Sequence, residues 1–255
     1  MNNNQDQRNF SDFTVLNSET ITGDNTIAKK FMANVFLWMF IALGVSAFCA
    51  YQFASNLTLF NMLYVQTEQG MHMTGFGWIV TLAPFAFLLI MNFGFARLSQ
   101  AAITALFLAF ALALGISLSS VLLIYTASSV VGCFAASSAM FGVMAFMGYT
   151  TSQDLTSMGR ILSMGLIGIV VASIINMFLH NGPLDFIISI IGVVVFTGLT
   201  AYDVQKLKRI GAGLEYEGVG KQETAKLAIM GAMRLYLDFI NLFLMILRLF
   251  GNRRN

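Results

Sequence analysis

The sequence predicts an all-α polytopic membrane protein, a bundle of seven transmembrane helices. Three observations carry that expectation. Of 255 residues, 57% are hydrophobic and 10% are charged, where soluble domains carry about 25% charged side chains. Between residues 31 and 205 the only charged side chains are Glu68, Arg97, Asp154, Arg160, Asp185 and Asp203, so the middle of the chain suits lipid rather than water. The uncharged runs between them also have the lengths of one or two crossings, a helix needing about 20 apolar residues to span a hydrocarbon core of about 30 Å.

Taken in order, residues 1–27 are polar and rich in asparagine. They hold too little apolar surface to offset the entropy of ordering, and a flexible tail is expected. A cleaved signal peptide would place a short apolar core near the start. Here the first apolar run, 31–54, begins later and reads as a retained span. The second span, 77–95, lies in the 28 uncharged residues between Glu68 and Arg97. The 56 uncharged residues between Arg97 and Asp154 would make one helix of about 84 Å, so they must fold back. The polar patch Tyr125, Thr126, Ser128 and Ser129 places the turn, between spans at 101–124 and 130–149. A fifth span, 161–179, ends at His180-Asn181-Gly182-Pro183.

The sixth span, 184–205, has Asp185 at its mouth and Asp203 in its last two turns. Gly211, Gly213, Gly218 and Gly220 mark a charged linker over 206–226, with Glu215, Glu217 and Glu223. The seventh span, 227–247, contains Arg234 and Asp238, and residues 252–255 form a short tail.

Orientation follows from Lys and Arg. With the amino terminus in the cytoplasm, Arg8, Lys29, Lys30, Arg97, Arg160, Lys206, Lys208, Arg209, Lys221 and Lys226 all fall on the cytoplasmic side, and the three opposite loops contain neither residue type. The expected location is therefore the cell membrane, multi-pass, amino terminus inside, with Arg253 and Arg254 outside because the span count is odd. Helix packing in lipid relies on small residues. Ala101, Ala105, Ala109 and Ala113 in span three, Ser138 and Gly142 in span four, and Gly168 and Ala172 in span five are the expected contacts.

Several function classes lack their residues. Cys49 and Cys133 lie singly in apolar runs, with neither disulfide nor metal spacing. His72 and His180 sit in different outer loops without an acidic partner in the membrane. No G-x-S-x-G is present, and no lysine lies inside a span to carry a retinal. Basic residues interleaved with aromatics, the mark of a nucleic-acid surface, are also missing. Neither an enzyme nor a cofactor is expected; the surrounding partner is membrane lipid.

Ionisable groups inside spans cost about 2.5 to 3.5 kcal/mol each on insertion scales and generally face the bundle interior in pairs. Asp203, Arg234 and Asp238 need that explanation. Spans six and seven run antiparallel, which brings Asp203 and Asp238 toward the same half of the membrane. Two carboxylates sharing a low-dielectric pocket cannot both ionise cheaply, so such a pair would exchange a proton as a unit. Two readings stay open. In one the aspartates form a proton-sensing pair. In the other Arg234 and Asp238, four apart on one helix face, neutralise each other, and Asp203 reaches toward the headgroups near Lys206. Arg97, at the end of span two, is read either as snorkelling into phosphates or as a gate counter-charge to the carboxylates.

LYLDFINLF at 235–243 followed by LRLFG at 247–251, TAYD at 200–203, and GYTT at 148–151 with Asp154-Leu155 resemble the transmembrane BAX inhibitor motif, or Bax inhibitor-1-like, family, in a bacterial member. The resemblance covers residues 28–251. It implies a seven-helix bundle with the last span central and a pH-governed calcium leak. It assigns the family's paired aspartates to Asp203 and Asp238 and its gating arginine, by position, to Arg97; Arg234, from its place in span seven, is an expected auxiliary. An acidic residue of the family's second span is replaced here by apolar sequence near Ala86. The expected function is therefore a pH-responsive passive leak for calcium or other cations. The alternative is an interaction protein that modulates a membrane protease or a stress or cell-death partner through the polar tail and charged linker, without transport.

Overall fold

Seven of the helices among the described residues are long and apolar enough to cross a membrane. They are α1 (Thr26–Ser55), α3 (Gly75–Gly94), α4 (Gln100–Ile124), α5 (Ala127–Thr150), α6 (Thr156–Leu179), α7 (Gly182–Glu217) and α8 (Lys221–Phe250). The computed structural model describes residues 26–67, 70–217 and 220–254. Apart from its last two residues, which open α1, the expected tail over 1–27 lies outside them. All seven expected spans are present, extended by a few residues at most ends. Local chemistry explains several boundaries. Thr74 and Ser99 cap α3 and α4, their hydroxyls accepting from the N–H of Gly77 (3.0 Å) and Ala102 (3.2 Å), which satisfies donors that a helix start leaves free. His180 ends α6 in the left-handed conformation, φ 50°, and Asn181 Oδ1 accepts from the Leu184 N–H at 3.0 Å to start α7.

Two segments depart from expectation. Between α1 and α3 stand a short helix, α2 (Leu57–Leu63), and an antiparallel pair, β1 (Tyr64–Thr67) and β2 (Gly70–Met73). The charged linker expected over 206–226 is instead mostly helix: α7 runs to Glu217 and α8 begins at Lys221. Gly211 does not break α7 because it packs closely on Ala28 and Phe31 of α1, and tertiary contacts outweigh the roughly 1 kcal/mol helix penalty of a glycine. The short tail also docks. Its Asn252 carbonyl accepts from the Thr126 N–H (3.0 Å), and the Arg254 N–H donates to the Ile124 carbonyl (2.8 Å).

The face where α1 begins is called here the N-face, and the opposite one, where α8 ends, the C-face. Helix α8 is the axis. It packs against α1, α4, α5 and α7, and 72% of its most apolar stretch is buried, against 6% for the peripheral α6. At its middle Tyr236 is fully buried, edge-on to Phe107 and Phe110 of α4. Ser46 of α1 donates its one hydroxyl proton to the Ala111 carbonyl at 2.7 Å. The Tyr236 hydroxyl must therefore donate to Ser46 Oγ, at 2.6 Å. This chain of buried groups ties α1, α4 and α8 together.

The expected small-residue contacts are largely not the ones used. Gly142 and Gly168 have open space where a side chain would stand, and Ala101 and Ala105 are exposed; of that stripe only Ala113 is buried. Close approaches occur instead at other glycines, among them Gly115 against Ser46, Gly148 against Ala201 and Gly159 against Tyr202. Cys49 and Cys133 are buried and unpaired.

Candidate functional site

Contacts between α7 and α8 set the register of the acidic residues. Gly231 meets Leu207 and Gly192 meets Met245, which puts Asp203 level with Arg234 and Asp238 about one turn deeper. Both aspartates are buried, each 6% exposed, and their carboxyls are near enough to act directly on one another. Arg234 Nη1 donates to Asp203 Oδ1 at 3.3 Å, from a side chain that is about half exposed. The arginine therefore serves Asp203 across the helix interface rather than Asp238 along its own helix, contrary to the neutralisation reading. Asp238 Oδ2 is buried without a hydrogen-bond partner among the described residues, and one proton held between the two carboxyls would supply it.

Arg97 is not brought to this pair. It lies just beyond α3, exposed, its backbone N–H donating to the Gly94 carbonyl at 2.9 Å, and it makes no ion pair among the described residues. The counter-charge is Arg234, which the sequence marked only as an auxiliary.

The residues around Asp203 hold α7 from two sides. Ala201 lies so close to Gly148 of α5, and Tyr202 to Gly159 of α6, that a β-carbon at either glycine would overlap them. Thr200 bonds back to the Phe196 carbonyl at 2.8 Å. The TAYD segment is thus one packing surface whose last residue is delivered to α8.

A clamp missed by sequence reasoning follows immediately. Gln205, also buried, donates through Nε2 to the Gln153 carbonyl (2.6 Å) and accepts through Oε1 from the Leu155 N–H (2.9 Å). Lys208 donates to the Tyr149 carbonyl at 2.8 Å. Arg209 reaches Asp154 at 2.7 Å. The connection between α5 and α6 is thereby fastened to α7. The Thr156 hydroxyl and N–H, followed by Arg209, hold the Asp154 carboxyl well below the usual carboxylate range. The only advance signal was the excess of basic residues just after Asp203.

Of the grooves that α8 lines, two carry charged side chains of that helix. Toward the N-face, one of about 330 Å³ is bordered by Asn92, Lys206 and Arg234; toward the C-face, one of about 520 Å³ is bordered by Asn241, Arg248 and Arg253. Leu237 lines both. Among the described residues no group of three or more His, Cys, Asp or Glu side chains is placed to hold a metal ion.

The family model described as "Inhibitor of apoptosis-promoting Bax1" matches residues 28–255. The chain is 39% identical over 240 residues to the inner membrane protein YbhL of Escherichia coli, covering 93% of this chain and 97% of that one. An uncharacterised protein of Rickettsia prowazekii is 41% identical over 228 residues, 89% of this chain and 91% of its own. An uncharacterised membrane protein of Streptococcus pyogenes is 33% identical over 227 residues, 88% and 93% of the two chains. With its seven apolar helices and its central carboxyl-terminal helix, the chain belongs to the Bax inhibitor-1-like family of multi-pass membrane proteins.

Proposed function

We propose that this protein is a passive cation leak, with calcium as the permeant ion, whose opening is set by the proton occupancy of the Asp203 and Asp238 pair. The observation that carries the reading is the buried Asp238 Oδ2, without a hydrogen-bond partner among the described residues and beside a second buried carboxyl. With one proton between them the two groups hydrogen-bond, and Arg234 balances the remaining charge. Arg234 and Lys206 are the cations that face the pair. Loss of the proton sets two anions against a half-exposed arginine. Two like charges about 4 Å apart at an effective dielectric of about 20 repel by about 4 kcal/mol, enough to move a two-state equilibrium by nearly three decades. Parting α7 from α8, the axis of the bundle, would widen the N-face groove, which both helices line down to Leu237. The lysine and arginine distribution supports placing the N-face in the cytoplasm. No catalysis is involved.

Calcium flux into liposomes across pH 6 to 8 tests the reading. Wild type should leak more as pH rises, and the Asp203→Asn/Asp238→Asn protein should lose that response. Equal leak and equal pH response in both proteins reject the mechanism.

A further inference from the structure

Where α4 and α8 diverge toward the C-face, the 520 Å³ groove has an amphipathic lining. Leu118, Val121, Leu237, Ile240 and Leu244 make its deep walls, and Arg248 and Arg253 stand at its rim. From Leu237 to Arg248 is eleven residues of helix, about 16 Å, which matches the half-thickness of a hydrocarbon core of about 30 Å. The groove is thus one leaflet deep, mainly apolar along its depth with Ser117, Ser120 and Asn241 interspersed, and cationic at the level of the headgroups.

The rim is built rather than incidental. Arg253 belongs to the docked tail: it bridges to Tyr125, and its neighbours are fixed by the Thr126 to Asn252 and Arg254 to Ile124 backbone bonds and by the Asn252 N–H donating to Ser129 Oγ at 3.0 Å. Arg248 is steadied by Asp185 of α7 at 3.5 Å. Asp185 is the one carboxylate paired with either arginine, and Arg253 has no ion pair among the described residues. Two guanidinium groups against one carboxylate leave an excess positive charge at the rim. A guanidinium is suited to planar, two-point recognition of a phosphate.

We infer that this groove binds one anionic phospholipid of the C-face leaflet. Its phosphodiester lies between Arg248 and Arg253, and one acyl chain runs down over Leu244 and Ile240 to Leu237. The inference does not depend on the leak function. The charge excess selects an anionic over a zwitterionic headgroup, and the apolar depth selects a lipid over free phosphate.

Native mass spectrometry of the full, delipidated chain tests it, with added phosphatidylglycerol or phosphatidylcholine of the same acyl chains. Wild type should retain one phosphatidylglycerol with at least a tenfold preference over phosphatidylcholine. Arg248→Gln/Arg253→Gln should lose that preference, while Lys30→Gln/Arg160→Gln, which removes two exposed N-face cations, should keep it. Arg253→Gln alone leaves the backbone bonds of the tail in place and should weaken retention if the double variant fails to fold. Retention unchanged by the rim substitutions overturns the inference, as does equal loss in the N-face variant. So does inorganic phosphate alone raising the melting temperature as much as the lipid does.

Discussion

Gly148→Ala is the sharpest test of how Asp203 is positioned. A β-carbon at residue 148 would stand 2.8 Å from the Ala201 Cα and carbonyl carbon and closer still to the oxygen, whereas ordinary contact begins at 3.4 Å. The obstacle is backbone and cannot swing aside, so α5 and α7 must part by about 1 Å. Overpacking of this kind costs about 1–3 kcal/mol, which for a chain of this size corresponds to a melting temperature lower by about 2–10 °C. Gly159→Ala meets only the ring of Tyr202, a partly buried side chain that can turn, so its cost should be smaller. Gly142→Ala, on the same helix as Gly148, has nothing within 4 Å and should be neutral or slightly stabilising, alanine being the better helix former. Thermal unfolding of the three variants in one detergent supplies the ranking. Wild-type melting in Gly148→Ala, or equal damage from Gly142→Ala, would refute the packing argument. Because Asp203 lies two residues beyond Ala201, the pH response of flux should decline in the same order as the melting temperatures.

Other outcomes follow from the same geometry. Tyr236→Phe removes a donor whose partner, Ser46, keeps its bond to Ala111; unfolding in denaturant should show a loss of about 0.5–1.5 kcal/mol, and no loss would mean that the hydroxyl chain does not tie α1 to α8. Asp154 gives a pH dependence with a definite sign. Its carboxyl is held as an anion in the fold, so its contribution is complete above the unfolded value near 4 and fades as the solution becomes more acid. Thermal scans should therefore show no difference in pH response between wild type and Asp154→Asn from pH 6 to 8, and a difference that narrows below about pH 4. A difference within the neutral range would make the clamp, rather than the aspartate pair, a contributor to pH sensing.

The spans were legible because lipid forbids scattered charge: six charged residues in 175 leave few ways to place crossings. The aspartates were legible for the same reason, being expensive where they stand. Arg234 was not, since a spacing of four along α8 and a reach across to α7 are equally compatible with the sequence, and only the helix register decides between them. The small-residue contacts failed because in lipid a regular alanine stripe does not distinguish a packed face from a lipid-facing one. What mattered was single glycines opposite backbone, at 115 and 148. The 206–217 segment read as a linker because its glycines and charges resemble a loop locally, while Gly211 against α1 and the bonds from Lys208 and Arg209 stabilise it as helix. The docked tail is too short to leave any periodic signal.

The length of α7 has a mechanical consequence. Its 36 residues make a rod of about 54 Å, well beyond the membrane's apolar thickness, and no proline interrupts it after Pro183. A load or torque applied at its far end travels along a continuous hydrogen-bonded shaft. The buried carboxyl of Asp203 sits on that shaft as a cam on an axle, so a turn of the rod's far end would move that carboxyl against α8.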